Sequence, residues 1–260
     1  MYLSRLIFEP RHRETWNWLA DCRTLHRAIM SGFGQADSEQ ARAEFGLLFR
    51  VEIPRGQPPH VLVQSSIPPA WAFETHAVAE IDPPIDLDGG LAAIEQGARY
   101  RLRLRANPTR RVHARALQGP DLRELTTRGE WKAADEIAQS ERTGIVRRLA
   151  AEGQAWHGKR VALRREEERV AWLKRQGERC GFTLLETRVE PVGRDLLDAR
   201  ADIGGALHDR APLDRRLTFE TCVFEGALQV TDADLVREAI ATGIGPGKAF
   251  GCGLFSIAKL

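Results

Sequence analysis

Residues 232–257 read DADLVREAIATGIGPGKAFGCGLFSI, and the order of their parts decides which folds are possible. Leu235, Val236, Ala239 and Ile240 recur at helical spacing behind an N-cap at Thr231 or Asp232, which predicts a helix over 232–241. Gly243, Gly245, Gly247, Gly251 and Gly253 follow, with Lys248 among them, and Leu254 to Ile257 then reads as a strand. A P-loop needs G-x-x-x-x-G-K-[ST] leaving a strand and opening a helix. Here the helix comes first, Ala249 follows Gly247-Lys248, and Thr242 stands where the first glycine is required. Walker and Rossmann chemistry are excluded. Two readings of the glycines remain: a helix C-cap turning into a strand, or a loop stripped of side chains for a close backbone approach.

Working outward, the first eight residues, MYLSRLIF, alternate as a strand, with Tyr2, Ser4, Leu6 and Phe8 on one side. Thr15 to Met30 carries Trp18, Leu19, Cys22, Leu25 and Ile29 at helical spacing and is stopped by Gly32 and Gly34. Phe45 to Ile53 and His60 to Ser66 form two strands around the turn Pro54 to Pro59. A short helical segment around Trp71 to Ala77 leads into the strand Val78 to Ile81. This order, β-α-β-β-α-β, is the ferredoxin-like plan.

The plan repeats. Arg99 to Ala106 alternates strictly, with Tyr100, Leu102, Leu104 and Ala106 on one face and Arg101, Arg103 and Arg105 on the other. A helix over Arg164 to Cys180 is built on Val170, Ala171 and Leu173, with Trp172 as a further candidate. Strands over Phe182 to Val189 and Leu217 to Val230 follow, the latter pausing at Glu225-Gly226, and the segment 232–257 completes the set. The expectation is an α+β chain of two tandem ferredoxin-like βαββαβ domains, residues 1–90 and 98–260. The second is interrupted by a charged insertion at about 112–158, helical over Glu130 to Ala151 and broken near Thr143-Gly144.

With 260 residues, 43% hydrophobic and 28% charged, the composition is that of a globular protein. The net charge of +2 announces no polyanionic partner by itself, although the arginines are unevenly spread. MYLSRLIF is too short and polar for a signal peptide, and no run reaches the length of a membrane span. Cys22, Cys180, Cys222 and Cys252 are far apart, as ordinary thiols of a reducing cytoplasm are. His12, His60, His76, His113, His157 and His208 show no ligand spacing, so no metal site is expected.

Several stretches, read together, resemble the CRISPR repeat-processing endoribonucleases of the CasE kind. They are MYLSRLIF, Leu25-His26-Arg27, Arg101-Leu-Arg-Leu-Arg-Ala-Asn-Pro108, Gly158-Lys-Arg-Val-Ala-Leu163, Val170-Ala-Trp-Leu173, Cys222-Val-Phe-Glu-Gly226 and the terminal glycine loop. They run in the family's order from the first residue almost to the last and leave 112–158 uncovered. The resemblance implies cofactor-free, metal-independent cleavage of repeat RNA at the base of a stem-loop. The product would be retained with the other Cascade subunits, in the cytoplasm, by a chain that is monomeric when free. It also implies that the glycine loop lies against the RNA or supports the domain interface beside it.

Metal-free RNA cleavage needs a base for the ribose 2′-OH, an acid for the 5′-oxygen and cations for the phosphorane charge. His26 is the natural acid–base group, because imidazole titrates near pH ~6.5. The resemblance carries catalysis onto it, with Arg23 and Arg27 beside it. The family pattern has a tyrosine at the place of Arg23 and, in some members, a lysine at the place of Ser31. Arginine stays protonated and is a poor base. A hairpin-binding subunit with weak or no activity is therefore the alternative reading.

Six arginines from Arg99 to Arg111, with no acid between them, suggest a strip that tracks phosphates through Arg101, Arg103, Arg105, Arg110 and Arg111. A salt-bridged sheet face is the other reading. Lys159 and Arg160 stand where the family presents basic residues to the stem, and Lys248 joins this RNA-binding set. No aromatic pair of the kind that stacks single-stranded bases is present, so recognition of hairpin shape and backbone is expected.

Overall fold

The computed structural model describes residues 1–34, 44–73, 75–112, 159–192 and 220–260. The expected helix over 130–151 and the start of the strand expected from Leu217 lie outside them. The chain forms two units, Met1–Pro108 with Arg165–Leu260, and Thr109–Arg164.

In the first unit, β1 (Tyr2–Phe8) leads through helices α1 (Arg13–Ala20) and α2 (Cys22–Met30) to β2 (Leu48–Glu52), β3 (His60–Ser65), β4 (Val78–Ile81) and β5 (Ile85–Asp86). The strands are ordered β2-β3-β1-β4, with β5 also on β1. All pairings are antiparallel, and Tyr2 faces Ser65 while Leu48 faces Gln64. Ser4, Leu6 and Phe8 are buried as the alternation predicts, under Leu19, Leu25 and Ile29 of the helices.

Three details differ from expectation. The helix read as Thr15 to Met30 is two helices, because Asp21 takes an extended backbone (φ −115°, ψ 97°). There its carboxylate accepts from Thr24 Oγ1 at 2.6 Å and its carbonyl accepts from Leu25 N, so Asp21 starts α2 as an N-cap would. The break also turns α1, which buries Trp16 and leaves Trp18 half-buried. Finally, no helix lies between β3 and β4 among the described residues. The segment after Pro68-Pro69 is a strap, held where Trp71 Nε1 donates to Ile29 O at 2.9 Å. Trp71 lies flat over Gly32, where a Cβ would stand 2.0 Å from its ring.

A short helix, α3 (Asp88–Ala92), leads to β6 (Arg99–Ala106). Beyond the second unit come α4 (Glu166–Arg179), β9 (Phe182–Val192), β10 (Thr221–Val230), α5 (Ala233–Thr242), a 3-10 turn (Lys248–Phe250) and β11 (Phe255–Lys259). The strand order β11-β6-β10-β9 repeats that of the first sheet, giving the second ferredoxin-like half. Asp232 caps α5, its carboxylate accepting from the backbone N–H of Asp234 and Leu235 at 3.0 Å. Helix α4 buries Arg169, Trp172, Leu173 and Gly177: Leu173 and Trp172 of the expected face are buried, while Val170 and Ala171 lie at its edge. Trp172 stacks on Phe224 at 6.0 Å.

Strand β10 does not pause at Gly226. A Cβ there would stand 2.1 Å from Glu186 O, so the glycine admits the neighbouring backbone, just before the register shift at Ala227/Leu228. Among the described residues, no helix is long and apolar enough to cross a membrane.

The second unit is described by one antiparallel ribbon, β7 (Thr109–Val112) on β8 (Lys159–Ala162).

Candidate functional site

Helix α2 carries His26 half-buried and Arg27 exposed one residue later, with Arg23 one turn before. The His26 ring stacks on Phe49 of β2, with centroids 6.1 Å apart and planes 26° apart. At the end of α2, Ser31 Oγ donates to Ala28 O at 2.7 Å, which closes the helix.

The glycine loop comes to this place from the far end of the chain, its 3-10 turn lying against both α2 and β2. What its glycines approach is the protein's own interior. A Cβ on Gly243 would stand 2.9 Å from the Leu48 methyls, and one on Gly245 3.0 Å from the Trp172 ring. One on Gly251 would stand 3.1 Å from Phe49 Cε2. Gly247 meets only ordinary contacts but sits at φ 86°, where a side chain is strained. The loop is tied to β6 by Gly253 N donating to Arg105 O at 2.8 Å. These contacts join the loop to β2 of the first half and to α4 and β6 of the second.

Lys248 is half-buried, and its Cγ runs past Gly253. Its charge bears on Cys180 at the end of α4: burial pushes that thiol up, opposed by Arg179 and Lys248 and reinforced by Glu238.

A second contact between the two sheets is ionic. Arg50 of β2 is 3% exposed; its Nε donates to Glu52 Oε1 at 2.6 Å. Its Nη1 donates to Leu254 O at 3.0 Å, Arg103 O at 3.2 Å and Ser256 Oγ at 3.1 Å. Arg103 in turn holds Glu52 through Nη2 to Oε2 at 2.5 Å and Nε to Oε1 at 3.0 Å, and also pairs with Glu225. Burial pushes the Glu52 carboxyl up, but the Arg103 hydrogen bond and the charges of Arg50 and Arg103 outweigh it and hold it below its ordinary value. Burial also lowers Arg50, partly offset by Glu52. Gln64 adds a buried bond to Ile240 O at 2.7 Å.

This arrangement corrects the picture of one exposed arginine strip. Arg101 is exposed, Arg103 is bound by two glutamates, and Arg105 is 9% exposed. Cross-strand register explains the difference. Arg103 faces Glu225, which faces Arg188; the rows beside it carry Glu186 and Glu190. Arg188 also pairs with Glu190 at 2.8 Å. Five arginines (Arg99, Arg101, Arg103, Arg105 and Arg188) and three glutamates thus share this face, so the register offsets part of its positive charge.

The remaining basic residues are gathered in the ribbon of the second unit. Arg111 stands directly opposite Arg160, Val112 opposite Lys159, and Arg110 is exposed opposite Val161. Residues almost fifty positions apart in sequence become neighbours. Like charges directly opposite one another weaken a strand pair.

Sequence reasoning missed Phe49, Arg50 and Glu52. A signal was present: Arg50 and Glu52 share one strand face two residues apart, inside an otherwise apolar run.

A family model described as CRISPR associated protein matches residues 1–259. The chain belongs to that family. Within it the similarity is to the CasE and Cse3 proteins. The CRISPR-associated endoribonuclease Cse3 of Thermus thermophilus is 31% identical over 99% of this chain and 100% of its own length. The Cascade subunit CasE of Escherichia coli is 27% identical, covering 100% of both chains. The structure of Thermus thermophilus Cse3 bound to an RNA representing a pre-cleavage complex matches with TM-score 0.66 at 30% identity, covering 99% of this chain and 98% of that one.

Proposed function

We propose that this chain is a metal-independent endoribonuclease that cuts CRISPR repeat precursor RNA at the base of a stem-loop and retains the product for the Cascade complex. The ribose 2′-OH gives up its proton and its oxygen attacks the adjacent phosphorus. The bond from phosphorus to the 5′-oxygen breaks, and that oxygen takes up a proton. A 2′,3′-cyclic phosphate and a 5′-hydroxyl result, with no cofactor. His26 serves as general acid–base group, and Arg23 and Arg27 stabilise the phosphorane charge. The basic ribbon of Arg110, Arg111, Lys159 and Arg160 meets the stem's phosphates, and Lys248 adds to the RNA-binding set.

The observation that carries this reading is His26 itself. It is a half-buried imidazole with its ring braced on Phe49, in a chain 31% identical over nearly its whole length to a named endoribonuclease. The test is single-turnover cleavage of the organism's own repeat RNA in excess EDTA. Cleavage should proceed unchanged in the chelator. His26→Ala should lower the rate by ~10²–10⁴ with RNA affinity little altered. A strict metal requirement, or wild-type cutting by the variant, would overturn the mechanism.

Arg23 in place of tyrosine favours a second reading, a hairpin-binding subunit with weak or no chemistry. That reading predicts tight RNA binding with no cleavage by the wild-type chain.

A further inference from the structure

We propose that Phe49 is a positioning residue for His26, and that Gly251 is a glycine so that the C-terminal loop can press on the Phe49 ring. The proposal rests on the reading of His26 as the acid–base group and adds to it the means by which its imidazole is oriented.

Phe49 is 1% exposed and stacks on the His26 ring at 6.1 Å with the planes 26° apart. A Cβ on Gly251 would stand 3.1 Å from Phe49 Cε2 and 3.5 Å from Cδ2. Gly251 also holds φ at 76°, which other residues rarely adopt. One ring therefore touches the histidine of the first half and the loop of the second.

Both supports of that ring are fixed. Strand β2 is anchored by its pairing of Phe49 with Val63, and at the next residue by the Arg50 bonds to the Leu254 and Arg103 carbonyls. The loop is anchored by Phe250 N on Gly247 O at 2.9 Å and by Gly253 N on Arg105 O at 2.8 Å. The orientation of the imidazole is thus set by a chain of contacts from β6 through Gly251 and Phe49 to His26. Proton transfer is sensitive to such placement, and a displacement of about 1 Å costs up to ~10²-fold in rate. Phe49 is too buried to meet RNA. Its effect must pass through the histidine.

The experiment is a double-mutant cycle on the full chain with repeat RNA, reading single-turnover rate at saturating protein, RNA Kd and Tm. Phe49→Leu keeps an apolar side chain and removes the ring. It should slow cleavage by about 10- to 100-fold and leave Kd within about twofold. Gly251→Ala should act in the same direction. In a His26→Ala background, Phe49→Leu should cause no further loss, because there is no imidazole left to misplace.

A Phe49→Leu rate equal to wild type would overturn the proposal. So would an equal proportional loss in the His26→Ala background, which would mark Phe49 as mere scaffold. If Phe49→Leu does not fold, Phe49→Met takes its place, and failure of both to fold would also make Phe49 only a core residue. Wild-type cutting by His26→Ala is a separate result: it removes the acid–base reading itself.

Discussion

Replacing Arg50 with alanine tests whether charge as well as shape joins the two sheets. The guanidinium bonds Glu52 at 2.6 Å, two carbonyls at 3.0 and 3.2 Å, and Ser256 Oγ at 3.1 Å. Removing one member of a buried ionic group costs about 3–5 kcal/mol, because its partners are left stranded. Arg103 still holds Glu52 in the variant, so the low end, about 3 kcal/mol, is expected. In a chain of this length each kcal/mol moves Tm by about 2–4 °C, giving a fall of roughly 6–12 °C. The loss should also depend on pH. The Glu52 carboxyl titrates below its ordinary 4.5 in the folded chain. The stability it contributes is present above the unfolded value and lost as pH falls through the folded one. The gap between wild type and Arg50→Ala should therefore be widest near neutral pH and narrow below about pH 4, without closing, since the carbonyl bonds do not titrate. Urea melts at neutral and acid pH would measure it. A gap under about 1 kcal/mol at neutral pH, or one that does not narrow in acid, would refute the reasoning.

Arg103→Ala, at a residue 42% exposed and bound by two glutamates, should lower Tm while leaving the salt dependence of RNA binding unchanged; a flattened salt slope would show that it meets phosphate. Lys159→Ala with Arg160→Ala should do the opposite. The slope of log K against log salt should fall by about one to two units, at roughly 0.7–0.9 per phosphate contact, with Tm near wild type. An unchanged slope would place the RNA on another surface.

Strand alternation in MYLSRLIF and RYRLRLRA carried most of the fold, because a period of two with one buried face leaves little choice of partner. The helix break at Asp21 was legible in principle, since aspartate is a favoured N-cap residue; the apolar spacing continued through it and hid it. The strap at Trp71 was not legible. It depends on Gly32 and Ile29, some forty residues away. His26 stood out by chemistry and family resemblance, but nothing local marks Phe49 as its neighbour. The arginines of β6 misled for a related reason: the three glutamates that partly offset them lie on β10 and β9, and only register brings them opposite.

Arg50 and the Leu254 carbonyl it bonds are 204 residues apart. As the chain leaves the ribosome, the first sheet is made long before the loop and strand that cover its edge. During that interval β2, an edge strand, would present Leu48, Phe49 and an Arg50 paired with Glu52 but lacking its carbonyl partners. The Phe49 ring beside His26 thus meets its second support only when translation has passed Gly251.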